Sequence, residues 1–112
     1  MTTSEEEHND ALTDLMKHPH KIGLEGVIWV CRNVIVSPND VVIGEIDLLY
    51  YLQEDEFVVG EYKRTRNNYT KAVQQLNFAK DFVKQYYDKP CSKLFIWKIK
   101  KGYKHEKIKR DN

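Results

Sequence analysis

The chain has 112 residues, 41% of them apolar and 31% charged, with a net charge of +1. That length sustains one hydrophobic core and not two, so a single domain over residues 1–112 is expected. No apolar run approaches the roughly 20 residues of a membrane span, and the start MTTSEEEHND lacks the basic-then-apolar layout of a secretory leader; a cytoplasmic, intracellular protein that does not engage membranes is expected.

Cys31 and Cys91 form no C-x-x-C pair. In a reducing compartment no disulfide is expected of them, and both read as packing residues. The near-neutral total also hides an asymmetry. Residues 1–62 carry 13 acids against 3 Lys or Arg, and residues 63–112 carry 4 acids against 15. A basic half suits a polyanion-binding face, because neutralised phosphates supply most non-specific nucleic-acid affinity; a solubilising face is the alternative.

In chain order, residues 1–10 are acidic and polar, and their start is expected to fray. Ser4 followed by Glu5, Glu6 and Glu7 has the capping oxygen and negative charge of a helix N-terminus. The helix should run through Ala11, Leu12, Leu15 and Met16 and end near His18-Pro19-His20, since a proline disfavours helix at the residue before it. His18 and His20 are of metal-ligating type but have no third ligand at a suitable spacing. Leu24, Val27, Ile28 and Cys31 then recur at helical spacing, which predicts a second helix over residues 22–31 with Glu25 at the edge of its buried face. A short β-branched run over 33–36, closed by the turn signal Ser37-Pro38-Asn39-Asp40, is the expected first strand.

Residues 41–52 and 56–64 are rich in Val, Ile, Phe and Tyr and are separated by Gln53-Glu54-Asp55, the pattern of a hairpin. Strand alternation puts Glu45 and Asp47 on one face of the first arm and Glu61 and Lys63 on one face of the second. Charges inside apolar strands are costly unless they pair or hold a cation, so the hairpin has the makings of a metal site; an ordinary solvated strand face is the alternative. Asn67 and Asn68 then precede Tyr69, Ala72, Val73, Leu76, Ala79, Val83 and Tyr87, one face of a helix of about five turns. Lys71, Gln74, Gln75, Lys84 and Gln85 make its polar surface, and Lys89-Pro90 ends it. Residues 94–99 form a strand apolar on both faces, as in a covered sheet. From Gly102 a basic tail carries Lys104, Lys107, Lys109 and Arg110, either as another strand or as a disordered arm.

Helix, strands, the run Gly44-Glu45-Ile46-Asp47-Leu48-Leu49, the triplet Glu61-Tyr62-Lys63 and the helix segment with Gln75-Leu76 follow one another in an order that resembles the PD-(D/E)xK nuclease superfamily, and within it the small archaeal and viral Holliday-junction resolvases and related minimal endonucleases. The resemblance spans residues 22–99. Ile46 stands where the superfamily name has proline. It implies an α/β fold with a restriction-endonuclease-like core, a central mixed sheet of four to five strands flanked by helices. It also implies a Mg²⁺- or Mn²⁺-dependent DNA endonuclease acting on branched DNA as a homodimer. Asp47 and Glu61 would be the carboxylate ligands, with the Tyr62 carbonyl beside them, Glu25 a further ligand and Glu45 a partner or ligand. Lys63 would orient the attacking water or stabilise the transition state, and Gln75 would lie at the active site. Arg64, Arg66, Lys71, Lys104, Lys107 and Lys109 are the expected nucleic-acid contacts. Two other readings remain open: a related nuclease acting on linear ends, single strands or RNA, and a member of the fold that binds nucleic acid without cutting it.

Overall fold

A computed structural model describes residues 3–109. Helix α1 (Ser4–Lys17) opens the chain. Its cap is Thr3 and not Ser4, the Thr3 hydroxyl accepting from the Glu6 N–H at 3.1 Å. Glu5, Glu6 and Glu7 follow in the first turn, where the helix dipole favours negative charge.

The expected helix over 22–31 is a turn followed by a strand. Gly23 and Gly26 hold left-handed conformations (φ 74° and 66°) that break a helix, and β1 (Val27–Val36) begins immediately after them. Its Val, Ile and Trp residues favour the pleated state, and their partial exposure in an edge strand blurs the period that would distinguish the two. The strand therefore starts six residues before the 33–36 segment. Cys31 is exposed on it, so packing does not explain that residue, whereas Cys91 is half-buried.

Strands β2 (Gly44–Leu52) and β3 (Glu56–Lys63) form the expected hairpin. Helix α2 (Tyr69–Tyr87) follows, then β4 (Cys91–Lys98) and β5 (Tyr103–Ile108). The order in the sheet is β1-β2-β3-β4-β5. Only β3 and β4 run parallel, joined by the α2 crossover, and all other neighbours are antiparallel. The tail is thus a strand through Ile108, and Arg110 lies outside the described residues.

The helices cover opposite faces. Ala11, Leu12 and Leu15 of α1 pack with Leu48, Tyr50, Leu52, Val58 and Ile96. Ala72, Val73, Leu76, Ala79 and Val83 of α2 pack with Ile46, Leu49, Val59 and Phe95. With both faces covered, nearly every position from Ile46 to Leu52 and from Phe57 to Tyr62 is buried, which is why the hairpin reads as near-continuous apolar sequence. Charged residues inside it are all the more conspicuous. Among the described residues no helix is long and apolar enough to cross a membrane.

Where β2 begins, Gly44 lies under the Phe78 ring, and a Cβ there would sit 2.4 Å from it. Gly44→Ala is expected to destabilise the fold by about 1–3 kcal/mol through overpacking, with most of the loss recovered in Gly44→Ala/Phe78→Ala relative to Phe78→Ala alone. A double-mutant cycle by chemical denaturation checks this.

Candidate metal centre

The β2–β3 ladder runs from the Leu52/Glu56 pair to the Leu48/Gly60 pair and stops there. Beyond that point β2 stays paired with β1 as far as Gly44, and β3 stays paired with β4 as far as Lys63. The two central strands therefore part, each held by its outer neighbour, and a cleft opens in the sheet. Asp47 and Glu61 are the first residues past the last rung, opposite one another if the register is continued.

The rung that would join Ile46 and Tyr62 is replaced by a side chain. The Tyr62 N–H donates to Asp47 Oδ2 at 3.0 Å. Because the N–H and C=O of one strand residue point to the same side, the Tyr62 carbonyl is also turned toward β2 and the cleft.

Side-chain alternation slips at this level. Ile46 packs with Leu49 beneath α2, while Leu48 and Tyr50 pack beneath α1; strict alternation would put Ile46 with Leu48. Across from Asp47 on β1, Asn33 takes φ 54°, a left-handed conformation that Asn tolerates better than most residues. Asn33 and Asp47 make no pair in a ladder that otherwise continues on both sides of them. These two irregularities release Asp47 from the sheet pattern and let its carboxylate enter the cleft.

Asp47 and Glu61 are 7% and 4% exposed. Burial, and then the negative charge of Asp47, push the Glu61 carboxyl up to about 8. Lys63 Nζ lies 3.3 Å from Glu61 Oε2 and opposes that shift without cancelling it. From α1, His8 Nε2 comes within 3.4 Å of Asp47 Oδ1. The hydrogen bond to Asp47 raises the imidazole's pKa above its ordinary value despite partial burial.

His8 is the functional candidate that sequence reasoning missed. The signal was present, since His8 extends the Ala11, Leu12 and Leu15 stripe by one turn toward the N-terminus and therefore faces the sheet. Asn33 carried no such signal, because a single Asn in a β-branched run does not disclose a left-handed kink.

Other expected site residues are distributed as follows. Glu45 is exposed and accepts from Asn33 Nδ2 at 2.8 Å, at the rim of the cleft. Gln75 has a buried Oε1 with no hydrogen-bond partner among the described residues. It lies one turn before Phe78, whose ring covers Gly44, and so on the side of α2 toward the start of β2. Glu25 is not brought to the cleft. It precedes the Val27/Leu52 pair and lines a separate hollow with Glu54, Glu56 and Lys107. Leu52 is five residues from Asp47, about 16 Å along a strand. The loss of the expected helix is the reason.

The basic residues divide as well. Arg64 pairs with Glu7 at 3.3 Å, and Arg66 pairs with Glu106 at 3.2 Å while lying over the Tyr69 ring at 4.5 Å. Lys71 is exposed on α2. Lys104 is opposite Trp97, at the level of Lys63, whereas Lys107 is opposite Leu94, further from the cleft, and Lys109 follows beyond it. Alternation also sets Lys104 on the opposite sheet face from Lys107 and Lys109.

Two carboxylates and a backbone carbonyl are the hard oxygen donors that Mg²⁺ or Mn²⁺ accepts while keeping several waters. Burial, and then the Asp47 carboxylate beside it, raise the pKa of Glu61 by more than Lys63 offsets, so further positive charge at the pair would favour its ionised form. Among the described residues no group of three or more His, Cys, Asp or Glu is gathered closely enough to hold a metal ion by itself, so the fit depends on the Asp47–Glu61 pair with the Tyr62 carbonyl.

A pH dependence of stability follows. Glu61 keeps its proton in the folded state up to about pH 8, whereas the unfolded chain loses it in the ordinary glutamate range, so the native state binds more protons and stability falls as pH rises between the two. His8, with a raised folded pKa, contributes stability that is present at low pH and is lost as pH rises through that value. Metal-free protein is therefore expected to melt at progressively lower temperature across this range, and Glu61→Gln to flatten the slope. Thermal denaturation in chelator at several pH values measures it.

Comparison of the chain with protein-family models, curated proteins and solved structures found no match.

Proposed function

We propose that the chain is a metal-dependent DNA endonuclease of the PD-(D/E)xK type that hydrolyses phosphodiester bonds in branched DNA as a homodimer, in the manner of Holliday-junction resolvases, inside the cell. The observation that carries the reading is the burial of Asp47 and Glu61 together, with Lys63 3.3 Å from Glu61, at the point where the central strands part. The order of elements, a helix, three antiparallel strands, a crossover helix and a parallel strand, supports a restriction-endonuclease-like core.

A bound Mg²⁺ or Mn²⁺ supplies a water of lowered pKa and positive charge at the phosphate. Asp47 and Glu61 hold the cation, which requires Glu61 to give up its proton. The Tyr62 carbonyl would complete the oxygen donors, and His8, 3.4 Å from Asp47 Oδ1, would position that carboxylate from the α1 side. Lys63 offers its ammonium to the attacking water or to the charge that grows on the phosphate. Gln75 is a positioning residue at the wall beneath α2, its oxygen available to accept a bond. Arg64, Arg66 and Lys104 form the backbone-contacting face nearest the cleft, with Lys71 beside them, while Lys107 and Lys109 reach a more distant part of the substrate.

Exposed apolar side chains support self-association. Val41, Val42 and Ile43 are 62%, 64% and 55% exposed beside the outermost strand, and Tyr86 is 72% exposed. Pro38, Ile43, Phe82 and Tyr86 line one hollow. Clustered exposure of this kind marks contact surfaces, and a two-fold dimer would set two clefts against opposed strands of a junction.

With Mn²⁺ or Mg²⁺ the protein is expected to cut a four-way junction in paired symmetric positions. Chelator or Asp47→Asn abolishes cutting, and Lys63→Ala slows it on the order of a hundred- to a thousandfold while DNA binding is retained; wild-type cutting by Asp47→Asn would remove the site assignment. Cutting of linear DNA, single strands or RNA instead would keep the chemistry and change the substrate, and binding without cutting under either metal would favour a non-catalytic role. Charge reversal of Arg66 and Lys104 lowers affinity and reduces the salt dependence by roughly 0.7–0.9 per lost phosphate contact, more than reversal of Lys107 and Lys109 does, as read from a salt titration of binding. Val42→Asp/Ile43→Asp gives a monomer in analytical ultracentrifugation; an unchanged dimer would place the interface elsewhere.

A further inference from the structure

A hollow of about 750 Å³ lies beside the cleft, between α1 and the carboxyl ends of the parallel strands β3 and β4. The crevice at such strand ends is where open α/β sheets receive ligands. Hollow and cleft share two pieces of structure. Tyr62, whose N–H is held by Asp47, lends its side chain to the wall, and Glu7 of the wall is the neighbour of His8.

The lining is aromatic and acidic, with cations at the edge. The Tyr62 and Tyr103 rings stand edge to face at 6.0 Å. Tyr103 is fixed by its hydroxyl, which donates to Asp14 Oδ2 at 2.9 Å, and Lys98 Nζ lies 4.8 Å from its ring centroid. Glu7, Asp10 and Asp14 line one stripe of α1, with Arg64 and Lys98 across from them.

Glu7 is paired with Arg64 at 3.3 Å and Asp14 with Lys21 at 2.8 Å, so the wall offers the exposed Asp10 and no surplus of cations to hold a sugar-phosphate backbone. A flat, neutral heterocycle fits better, with a π-face for the half-buried Tyr103, which the buried Tyr62 backs, and amino or imino hydrogens for Asp10. The volume falls within the range of small-molecule sites and admits a base with its sugar.

We infer that the hollow is a base pocket, which receives one unpaired nucleotide of the strand whose phosphate lies in the Asp47–Glu61 cleft. The inference rests on the nuclease reading above and narrows it. A base stacked and paired within a duplex cannot enter, so the substrate presents an unpaired or extruded nucleotide next to the cut, as at a branch point or single-stranded flank. Tyr103 and Asp10 are specificity-determining residues that touch the base and not the reacting phosphate.

The test is binding in chelator, where nothing is cut. A forked DNA carries 2-aminopurine, a fluorescent base with an exocyclic amine, in its unpaired flank; a matched DNA has an abasic site there. Wild-type protein is expected to quench the fluorophore and to bind the base-bearing DNA about tenfold or more tightly than the abasic one. Tyr103→Leu should erase both effects, and Asp10→Ala, on the exposed face of α1, should reduce the preference while melting as the wild type does. If Tyr103→Leu does not fold, Asp10→Ala carries the test. Equal affinity for base-bearing and abasic DNA in the wild type would overturn the pocket. With Mn²⁺ added, cutting that ignores the missing base removes the pocket and leaves the nuclease standing, whereas base-dependent binding with no cutting under Mg²⁺ or Mn²⁺ removes the nuclease reading and leaves the pocket.

Discussion

Two carboxylates are held together out of water, and the arrangement of the sheet around them follows from that constraint. Asp47 and Glu61 would face each other across a closed ladder, where like charges are destabilising. The ladder instead ends one rung earlier, and the Asp47 side chain takes the N–H that the rung would have used. Outer strands supply the support that the missing rungs do not. β1 carries the left-handed Asn33 that lets β2 slip its alternation, and the parallel β4 keeps β3 straight to Lys63. Without a cation the pair is tolerated because Glu61 keeps a proton and because His8 and Lys63 each approach one carboxylate.

Much of this was legible in the sequence. An acid-x-Lys triplet within an apolar strand stands out because a strand buried on both faces leaves few positions for charge, so Asp47, Glu61 and Lys63 were found together. The α2 stripe was equally plain, since 19 residues of regular helical spacing leave little ambiguity. The failure at residues 22–31 has a physical cause. Leu24, Val27, Ile28 and Cys31 fit a helical period only because β1 is an edge strand with partial exposure on both sides, and the glycines on either side of Leu24 and Glu25 carried the contrary signal. Glu25 was lost to the site with that helix. His8 takes the place at the cleft that α1, and not the 22–31 segment, was positioned to fill.

The charge asymmetry between the two halves also resolves differently in three dimensions. The acidic half supplies α1, β1 and the hairpin with its cleft, the basic half supplies α2, β4 and β5, and the two halves meet in the sheet where β3 pairs with β4. Acids are then partly offset by the first cations of the basic half, Glu7 of α1 by Arg64 and Glu61 of β3 by Lys63. β5 alternation splits the tail cations between two faces, so a linear count of lysines overstates any single basic patch.

The claim on which the rest turns is that the Asp47–Glu61 cleft binds a hard divalent cation. Calorimetric titration of metal-free protein with Mn²⁺ at neutral pH, in buffers of different ionisation enthalpy, tests it without requiring any substrate. The account predicts saturable binding with release of close to one proton, because Glu61 must ionise to become a ligand, and loss of that binding in Asp47→Asn. Absence of binding, or binding without proton release that persists in Asp47→Asn, would contradict it.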